Sequence, residues 1–268
     1  MTTVMRIANI IRLGAFPIAY GLTGALVSGT LNRVMIADIG LPASLVGFFF
    51  AIPLLVSPAR TWLGYRSDAY PILKRRREPY MLLGAIVLTI GLILATIITV
   101  RIASLTVLLV VGVLLSFVLY GFGRNLAHNS FQALLSDMFK GPQRSRAITG
   151  YEVVTLLGLV AGAGGLGQAL ETYDPARLVA VSLGVSMIVV VLTLLAAIGQ
   201  EQVDEIIEEA AETARRTSFG KAMRELVLPD PQVRLFFVLV LLTFIGTLAQ
   251  DILLEPYGAL VLNMPVGD

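Results

Sequence analysis

The sequence has no cysteine, a single histidine and few charged residues, and each shortage excludes a class of protein. Without cysteine there is no disulfide framework, no thiolate metal site and no cysteine nucleophile. Only 14% of the 268 residues are charged, whereas roughly a quarter are charged in ordinary soluble domains. The net charge of +2 is too small to indicate a nucleic-acid partner. No nucleophile triad, phosphate loop or metal-ligand cluster stands in the sequence, so we expect no enzyme and no metal site.

Apolar residues dominate what remains. They make up 56% of the chain, and the mean hydropathy of +0.84 indicates an integral membrane protein. Roughly 20 apolar residues in a helix cross a bilayer core of about 30 Å, and seven charge-free runs approach that length. The runs are Leu13–Asn32, Ile39–Ala59, Pro79–Val100, Ile102–Gly123, Val153–Leu170, Leu178–Gln200 and Leu235–Gln250. They predict an all-α protein with seven membrane spans.

Basic residues are distributed unevenly between the segments that connect these runs. If the N-terminus is cytoplasmic, 14 of the 20 Lys and Arg residues fall on the cytoplasmic side. Cytoplasmic loops collect Lys and Arg, so this orientation is predicted. Three parts follow: a six-span bundle over residues 1–199, a cytoplasmic linker with an amphipathic helix over 200–231, and span 7 with an outer tail over 232–268.

Two charged loops resemble the inner-face motif of the major facilitator superfamily. The first contains Gly64-Tyr65-Arg66-Ser67-Asp68 followed by Lys74-Arg75-Arg76-Arg77, and the second, around Asp137, repeats its pattern. Internal repeats are expected in transporter folds. The motif residues are Gly64, Arg66, Asp68, Arg75, Arg76, Arg77, Asp137, Arg144 and Arg146. The resemblance implies a six-helix N-terminal bundle plus the first helix of a second bundle. We expect the two aspartates to accept hydrogen bonds from helix N-termini or from Arg66, Arg144 and Arg146.

Further motifs look like those of the PucC/LhaA family of phototrophic bacteria. They are Leu31-Asn32-Arg33-Val34-Met35-Ile36, the segment Ser57 to Asp68, and Gln250-Asp251-Ile252-Leu253-Leu254-Glu255-Pro256-Tyr257-Gly258. The outer-side residues among them are Asn32, Arg33, Gln250, Asp251 and Glu255. The resemblance implies assembly of light-harvesting complexes in the bacterial inner membrane, with bacteriochlorophyll or chlorophyll as cargo and antenna polypeptides or photosynthetic complex subunits as partners. A full member has about twelve spans, so we expect a truncated homologue or part of a longer chain.

The acidic residues all lie near the ends of the predicted spans, which leaves the middle of the membrane nearly free of charge. Ion-coupled transport generally uses a carboxylate or histidine deep in the membrane, so this pattern favours an apolar cargo. Two alternatives stay open: a secondary transporter of a small solute by alternating access, and a fixed structural subunit of a photosynthetic complex.

His128 is the candidate pigment ligand, because a neutral imidazole can bind the magnesium of a chlorophyll. Asn125 and Asn129 are polar neighbours that could bind through water, and a plain hydrogen-bonded interface histidine is the alternative. Arg124 and Glu152 are predicted to lie near the cytoplasmic ends of their spans, where they could form an ion pair. Tyr20 and Tyr120 are expected as anchors at the membrane interface, and Gly158-x-x-x-Gly162 as a helix-packing motif.

Overall fold

A computed structural model describes residues 9–57, 59–101, 106–170, 173–201, 212, 220, 224–225, 229–240, 242–243 and 246. The chain divides into two compact units, Met1–Ala214 and Arg215–Asp268. In the described ranges the regular structure is helical, apart from an isolated bridge between Ile72 and Arg75.

Six helices of the first unit are long and apolar enough to cross a membrane. They are α1 (Asn9–Asp38), α2 (Ala43–Ala69), α3 (Glu78–Thr99), α4 (Val107–Met138), α5 (Pro142–Ala169) and α6 (Pro175–Ala197). Helices satisfy their own backbone hydrogen bonds, which is what a chain needs inside hydrocarbon. The prediction of an all-α membrane protein is therefore confirmed.

Several helices extend well beyond the charge-free runs that predicted them. Helix α4 continues past Gly123 to Met138, and α5 begins at Pro142 rather than Val153. The turn between them is made by Gly141, whose φ of 57° suits glycine, and Pro142 then occupies the first turn of α5. Charged and polar residues thus continue these helices instead of ending them, so Arg124 and Glu152 lie inside helices and not at their ends.

Asp-Pro pairs start two helices in the same way. The Asp174 carboxylate accepts hydrogen bonds from the backbone N–H groups of Ala176 and Arg177, at 3.2 and 3.3 Å. In the second unit, the Asp230 carboxylate accepts from the N–H of Gln232 at 2.8 Å and starts the short helix α7 (Pro231–Val240). Such side chains satisfy N–H groups that have no partner within the helix. Most of the predicted linker, the end of predicted span 7 and the outer tail lie outside the described residues.

Glycines bring helix backbones into direct contact within the first unit. A Cβ atom added to Gly123 of α4 would lie 2.2 Å from the backbone nitrogen of Leu88 in α3. Where α1 meets α5, a Cβ on Gly21 would lie 2.2 Å from the Thr155 carbonyl oxygen, and one on Gly158 would lie 2.8 Å from the Ile18 oxygen. Small residues permit this close approach. The packing role predicted for Gly158 is therefore confirmed.

The start of α1, the ends of α2 and α4, and the starts of α3 and α5 carry basic residues, and we call this side of the bundle, where α6 also ends, the basic end. Contacts join several of these termini directly. Arg12 in α1, for example, donates hydrogen bonds to the carbonyl oxygens of Leu195 and Ile198 at the end of α6, the first at 3.1 Å. A cation at a helix C-terminus also interacts favourably with the helix dipole.

Candidate functional site

Arg77 lies at the centre of an ion cluster at the basic end. It precedes α3, and its side chain is buried. Its guanidinium contacts Asp68 at the end of α2 at 2.8 Å, Asp137 at the end of α4 at 3.1 Å, and the Ser67 hydroxyl at 3.1 Å. One cation therefore joins three helix termini, through an ion pair with Asp68 and a charge-assisted hydrogen bond to Asp137.

Glu201, which follows α6, connects a fourth terminus to the same cluster. Its carboxylate accepts hydrogen bonds from the backbone N–H of Arg76 at 2.8 and 2.9 Å and from that of Arg77 at 2.8 Å. Its own backbone N–H donates to the carboxylate of Glu78, which also pairs with Arg75. A carboxylate at the N-terminus of α3 is stabilised both by these N–H groups and by the helix dipole.

The cluster uses partners other than those expected for the two aspartates. Asp68 and Asp137 are bound by Arg77, with Arg76 a more distant 3.9 Å from Asp68, and not by Arg66, Arg144 or Arg146. Arg66 instead lies over the ring of Tyr70, 4.3 Å from its centre. Arg144 and Arg146 are exposed. The predicted partners were wrong because closeness in sequence to an aspartate does not determine which arginine side chain contacts its carboxylate.

Gly64 and three residues that the sequence analysis did not single out also form contacts at the basic end. A Cβ on Gly64 would lie 3.0 Å from the side-chain nitrogen of Asn129, so the glycine does permit close approach of α2 to α4. Ser67, Glu78 and Glu201 are contacts that sequence reasoning missed. The available signal was position, because Glu78 and Glu201 stand directly beside apolar runs, where a charge needs a partner.

Arg124, inside α4, is satisfied without a carboxylate partner among the described residues. Its guanidinium lies over the Tyr20 ring of α1, 4.0 Å from the ring centre, and donates to the Tyr120 hydroxyl at 2.8 Å. The Thr23 hydroxyl is 3.5 Å away. Glu152 is exposed and does not form the expected ion pair with Arg124. Tyr20 and Tyr120 thus contact this cation within the bundle, where interface anchors were expected.

His128 lies one helical turn from Arg124 and is buried between two tyrosines. Its Nδ1 atom is 2.5 Å from the hydroxyl of Tyr151 in α5, and its ring stacks on Tyr20 with centres 4.9 Å apart. Arg124, Tyr20, His128 and Tyr151 form one continuous set of contacts, which we call the aromatic cluster. It joins α1, α4 and α5.

Asn125 and Asn129 form hydrogen bonds with α2, whereas His128 contacts α5. Asn125 donates hydrogen bonds to the carbonyl oxygens of Gly121 at 2.8 Å and of Pro53 in α2 at 3.3 Å. Asn129 donates to the Arg60 carbonyl of α2 at 3.4 Å. The structure therefore does not bring the three predicted pigment-binding residues together, because the asparagines join α4 to α2.

An apolar cleft of about 540 Å³ lies beside the aromatic cluster, toward the basic end. Helix α1 contributes Ile10, Leu13, Gly14 and Pro17 to its wall, and α4 contributes Phe131 and Leu135. Phe139 follows α4, and α5 contributes Gln143, Arg146, Ala147, Gly150, Tyr151 and Val154. Among the described residues that line it, Arg146 is the one charged group, and the cleft reaches the tyrosine that contacts His128.

A smaller cavity of about 180 Å³ lies at the opposite end, between α1 and α5. Its lining includes Arg33 and Asp38 of α1 and Tyr173, which precedes α6. Burial raises the pKa of the Tyr173 phenol, and the carboxylates of Asp38 and Asp174 add to the shift. Asn32 lies next to Arg33 in α1, whereas Gln250, Asp251 and Glu255 lie outside the described residues.

The long apolar helices and their ion-paired termini define a multi-pass α-helical membrane protein. The family model of the PUCC protein matches residues 30–268, and the chain belongs to the PucC family. It is 32% identical to Protein PucC of Rhodobacter capsulatus, over 98% of this chain and 58% of that protein. It is also 32% identical to the Bacteriochlorophyll synthase 44.5 kDa chain of Rhodobacter capsulatus (97% of this chain, 59% of that protein) and 29% to Protein PucC of Cereibacter sphaeroides (97% and 58%). The chain therefore spans less than two thirds of the length of these relatives.

These similarities confirm the family that the sequence motifs indicated. The PucC family suggests a photosynthetic membrane, and the naming of the relatives supports a role in that membrane.

Proposed function

We propose that this protein is a non-enzymatic assembly factor for light-harvesting complexes, which binds (bacterio)chlorophyll or delivers it to antenna polypeptides. The proposal includes a bacterial inner or photosynthetic membrane, a cytoplasmic basic end and a cytoplasmic N-terminus. Its main support is membership of the PucC family, one relative of which is named a Bacteriochlorophyll synthase chain. Because the chain covers only part of its relatives, other segments of a full-length protein would take part in the complete activity.

The geometry at His128 is the single structural observation that supports a pigment. A histidine that binds a metal usually donates its other ring N–H to a partner, which determines the tautomer and the orientation of the ring. The contact between Nδ1 and the Tyr151 hydroxyl can do this, and it leaves Nε2 to bind the magnesium of a chlorin. Asn125 and Asn129 have no part in this version of the site, since they bond to α2.

A transporter of a small solute is the second candidate, and Arg124 is the observation that favours it. Ionisable residues within membrane spans are rare and commonly mark a path for an ion or substrate. Against it, Asp38, Asp68, Glu78 and Asp137 all stand at helix termini, and Glu152 is exposed. Among the described residues, no buried carboxylate lies in the middle of a helix, so proton coupling through these helices would lack its usual carrier.

The test is to purify the protein from a phototrophic host in mild detergent and to record its absorption spectrum and its co-purifying polypeptides. The proposal expects chlorin absorption bands together with antenna chains. His128→Ala should lower the pigment content at least several-fold, because the axial ligand is lost. Asn125→Ala is the matched control in the same helix and should retain pigment. Purified protein with neither pigment nor antenna chains would overturn the proposal.

Loss of pigment in both variants would show that they act through folding, so the melting temperature of each is measured alongside. Pigment that remains bound to folded His128→Ala protein would remove the histidine from the proposal while leaving the assembly role intact. Pigment-free protein that still holds antenna chains would indicate a fixed structural subunit.

A further inference from the structure

The apolar cleft has a shape and a composition that the pigment proposal does not use. Its volume of about 540 Å³ lies within the range of roughly 300–1,000 Å³ of small-molecule sites. Its walls come from three helices, and most of its lining side chains, among them Leu13, Pro17, Phe131 and Val154, have no hydrogen-bonding group. A hydrophilic solute would lose its hydration there without compensation. The interior of the cleft therefore suits a hydrocarbon chain.

Basic residues at one end of the cleft indicate that its occupant carries an anionic group. Arg146 lies in the cleft wall in the first turns of α5, close to Gln143. Lys140 and Arg144 are exposed in the same short segment. In the part of the chain that the structure describes, no carboxylate forms an ion pair with any of these three cations. This contrasts with Arg77, whose carboxylate partners lie at the same end of the bundle.

The residues that line the cleft are spread along α5, so its two ends lie at different heights in the bundle. Arg146 and Val154 are eight positions apart on α5, which corresponds to about 12 Å along a helix. One end therefore lies among the basic residues, and the other lies deeper, beside Tyr151. An occupant with an anionic group at one end and an apolar chain at the other would match both ends.

We infer that the cleft binds an anionic phospholipid of the leaflet at the basic end, with one acyl chain in the cleft and its phosphate at Arg146. Basic pockets between membrane helices are known to bind anionic head groups. A lipid acyl chain suits this apolar lining, and Arg146, which has no carboxylate partner among the described residues, would select an anionic head group. This site is independent of the proposed pigment at His128, although Tyr151 borders both.

The experiment uses the 268-residue chain in detergent micelles and measures the binding of phosphatidylglycerol and phosphatidylcholine by native mass spectrometry. We expect phosphatidylglycerol to bind at least fivefold more tightly, because a cation near the surface contributes about 1 kcal/mol toward an anionic lipid. Arg146→Gln should reduce this preference about fivefold. Arg101→Gln, an exposed arginine at the opposite end, is the matched control and should leave the preference unchanged.

A second pair of variants tests the hydrocarbon part of the site. Gly150 lines the cleft, and no atom beyond its own stretch of helix lies within 4 Å of a Cβ added there, so Gly150→Phe is expected to place a ring in the cleft. It should weaken the binding of both lipids at least fivefold. Gly164→Phe, at an equally open glycine farther along α5, should not. Folding of each variant is checked by its melting temperature and by size-exclusion chromatography.

Four results would each overturn the inference. The first is equal binding of the two lipids to the unaltered chain, and the second is an equal effect of Arg146→Gln and Arg101→Gln. The third is unchanged phosphatidylglycerol binding in folded Gly150→Phe protein, which would leave only a surface contact with the head group. The fourth is displacement of the lipid by millimolar inorganic phosphate, which would indicate a site for a free anion. None of these measurements involves pigment, so their failure would leave the proposed function standing.

Discussion

Two arginines of this protein lie within the same helical bundle and are satisfied by different chemistry. Arg77 is bound by two carboxylates and a hydroxyl at the basic end. Arg124 lies against a tyrosine ring and donates to a second tyrosine. The carboxylates of Asp68 and Asp137 keep 40% and 46% of their side-chain surface exposed, so they remain partly hydrated while they pair with Arg77.

The difference between the partners of Arg77 and Arg124 indicates where this bundle can accommodate ion pairs. An ion pair removed from water loses much of its hydration energy, and the attraction between its members often fails to offset that loss. Arg124 is only half-buried, and the face of an aromatic ring attracts its guanidinium without bringing a second charge into the bundle. We therefore interpret the basic end as a set of helix termini joined by ion pairs. In the aromatic cluster, tyrosine side chains bind one cation among apolar helices.

The largest effect is expected when Arg77 is removed. Arg77→Leu removes the cation that contacts Asp68, Asp137 and Ser67 at once. Because a hydrogen bond to a charged group contributes about 1.5–3 kcal/mol, we expect a loss of about 3 kcal/mol of unfolding free energy. The measurement is reversible unfolding in mixed detergent micelles. Arg144→Leu is the matched control: this exposed arginine at the same end has no ion pair among the described residues, and the change should cost less than about 0.5 kcal/mol.

If the unpaired carboxylates cause the stability loss of Arg77→Leu, removing their charge should restore part of that stability. Adding Asp68→Asn and Asp137→Asn to Arg77→Leu should recover a measurable part of the lost stability, because no unpaired carboxylate then remains. A triple variant less stable than Arg77→Leu would show that the side-chain packing of Arg77, rather than its charge, joins the termini.

The next largest effect is expected at Glu201. Glu201→Ala removes the acceptor of the Arg76 and Arg77 backbone N–H groups, and a hydrogen bond to a charged group contributes about 1.5–3 kcal/mol. We expect a loss of about 2 kcal/mol in the same unfolding measurement. Glu201→Gln keeps an acceptor oxygen and should cost less than the alanine variant. An equal cost for both would mean that the charge provides all of the stabilisation.

Removal of Arg124 should cost less than removal of Arg77, although both are arginines inside the fold. Arg124→Leu leaves behind the hydroxyls of Tyr120 and Thr23 and no carboxylate, and Thr23 already donates to the Tyr20 carbonyl at 2.7 Å. We expect a loss of about 1 kcal/mol, which is typical of a cation–π contact. A loss as large as that of Arg77→Leu would reveal an anionic partner of Arg124 and would end the contrast between the two sites.

The smallest effect is expected from Tyr151→Phe. This change removes one hydroxyl and its contact with His128 while keeping the ring, and one neutral hydrogen bond contributes about 0.5–1.5 kcal/mol. We expect a loss near the lower end of that range in the unfolding measurement. Thr155→Val, one turn along α5, removes another hydroxyl, which bonds to the Tyr151 carbonyl, and serves as the comparison. A change at Tyr151 much larger than at Thr155 would give His128 a greater structural role.

The contacts of the aromatic cluster were not predicted from the sequence. Counting residues up to the first charge located the six helices, but it ended α4 at Gly123 and began α5 at Val153. The count failed because a charged or polar residue does not end a helix when neighbouring helices supply its partners. Arg124 and Glu152 were therefore expected to form an ion pair, whereas Tyr20 and Tyr120, expected at the membrane interface, contact Arg124.

By itself, the sequence determined the class of the protein, the positions of its six long helices and its family, because length, hydropathy and short motifs are local properties. It also indicated that Gly158 serves helix packing. Only the tertiary structure decided which carboxylates Arg77 binds, that Glu201 joins them, and that His128 faces Tyr151 while Asn125 faces α2. The physical reason is that a side chain on a helix chooses its partners by rotation and helix packing, which bring together residues far apart in the chain.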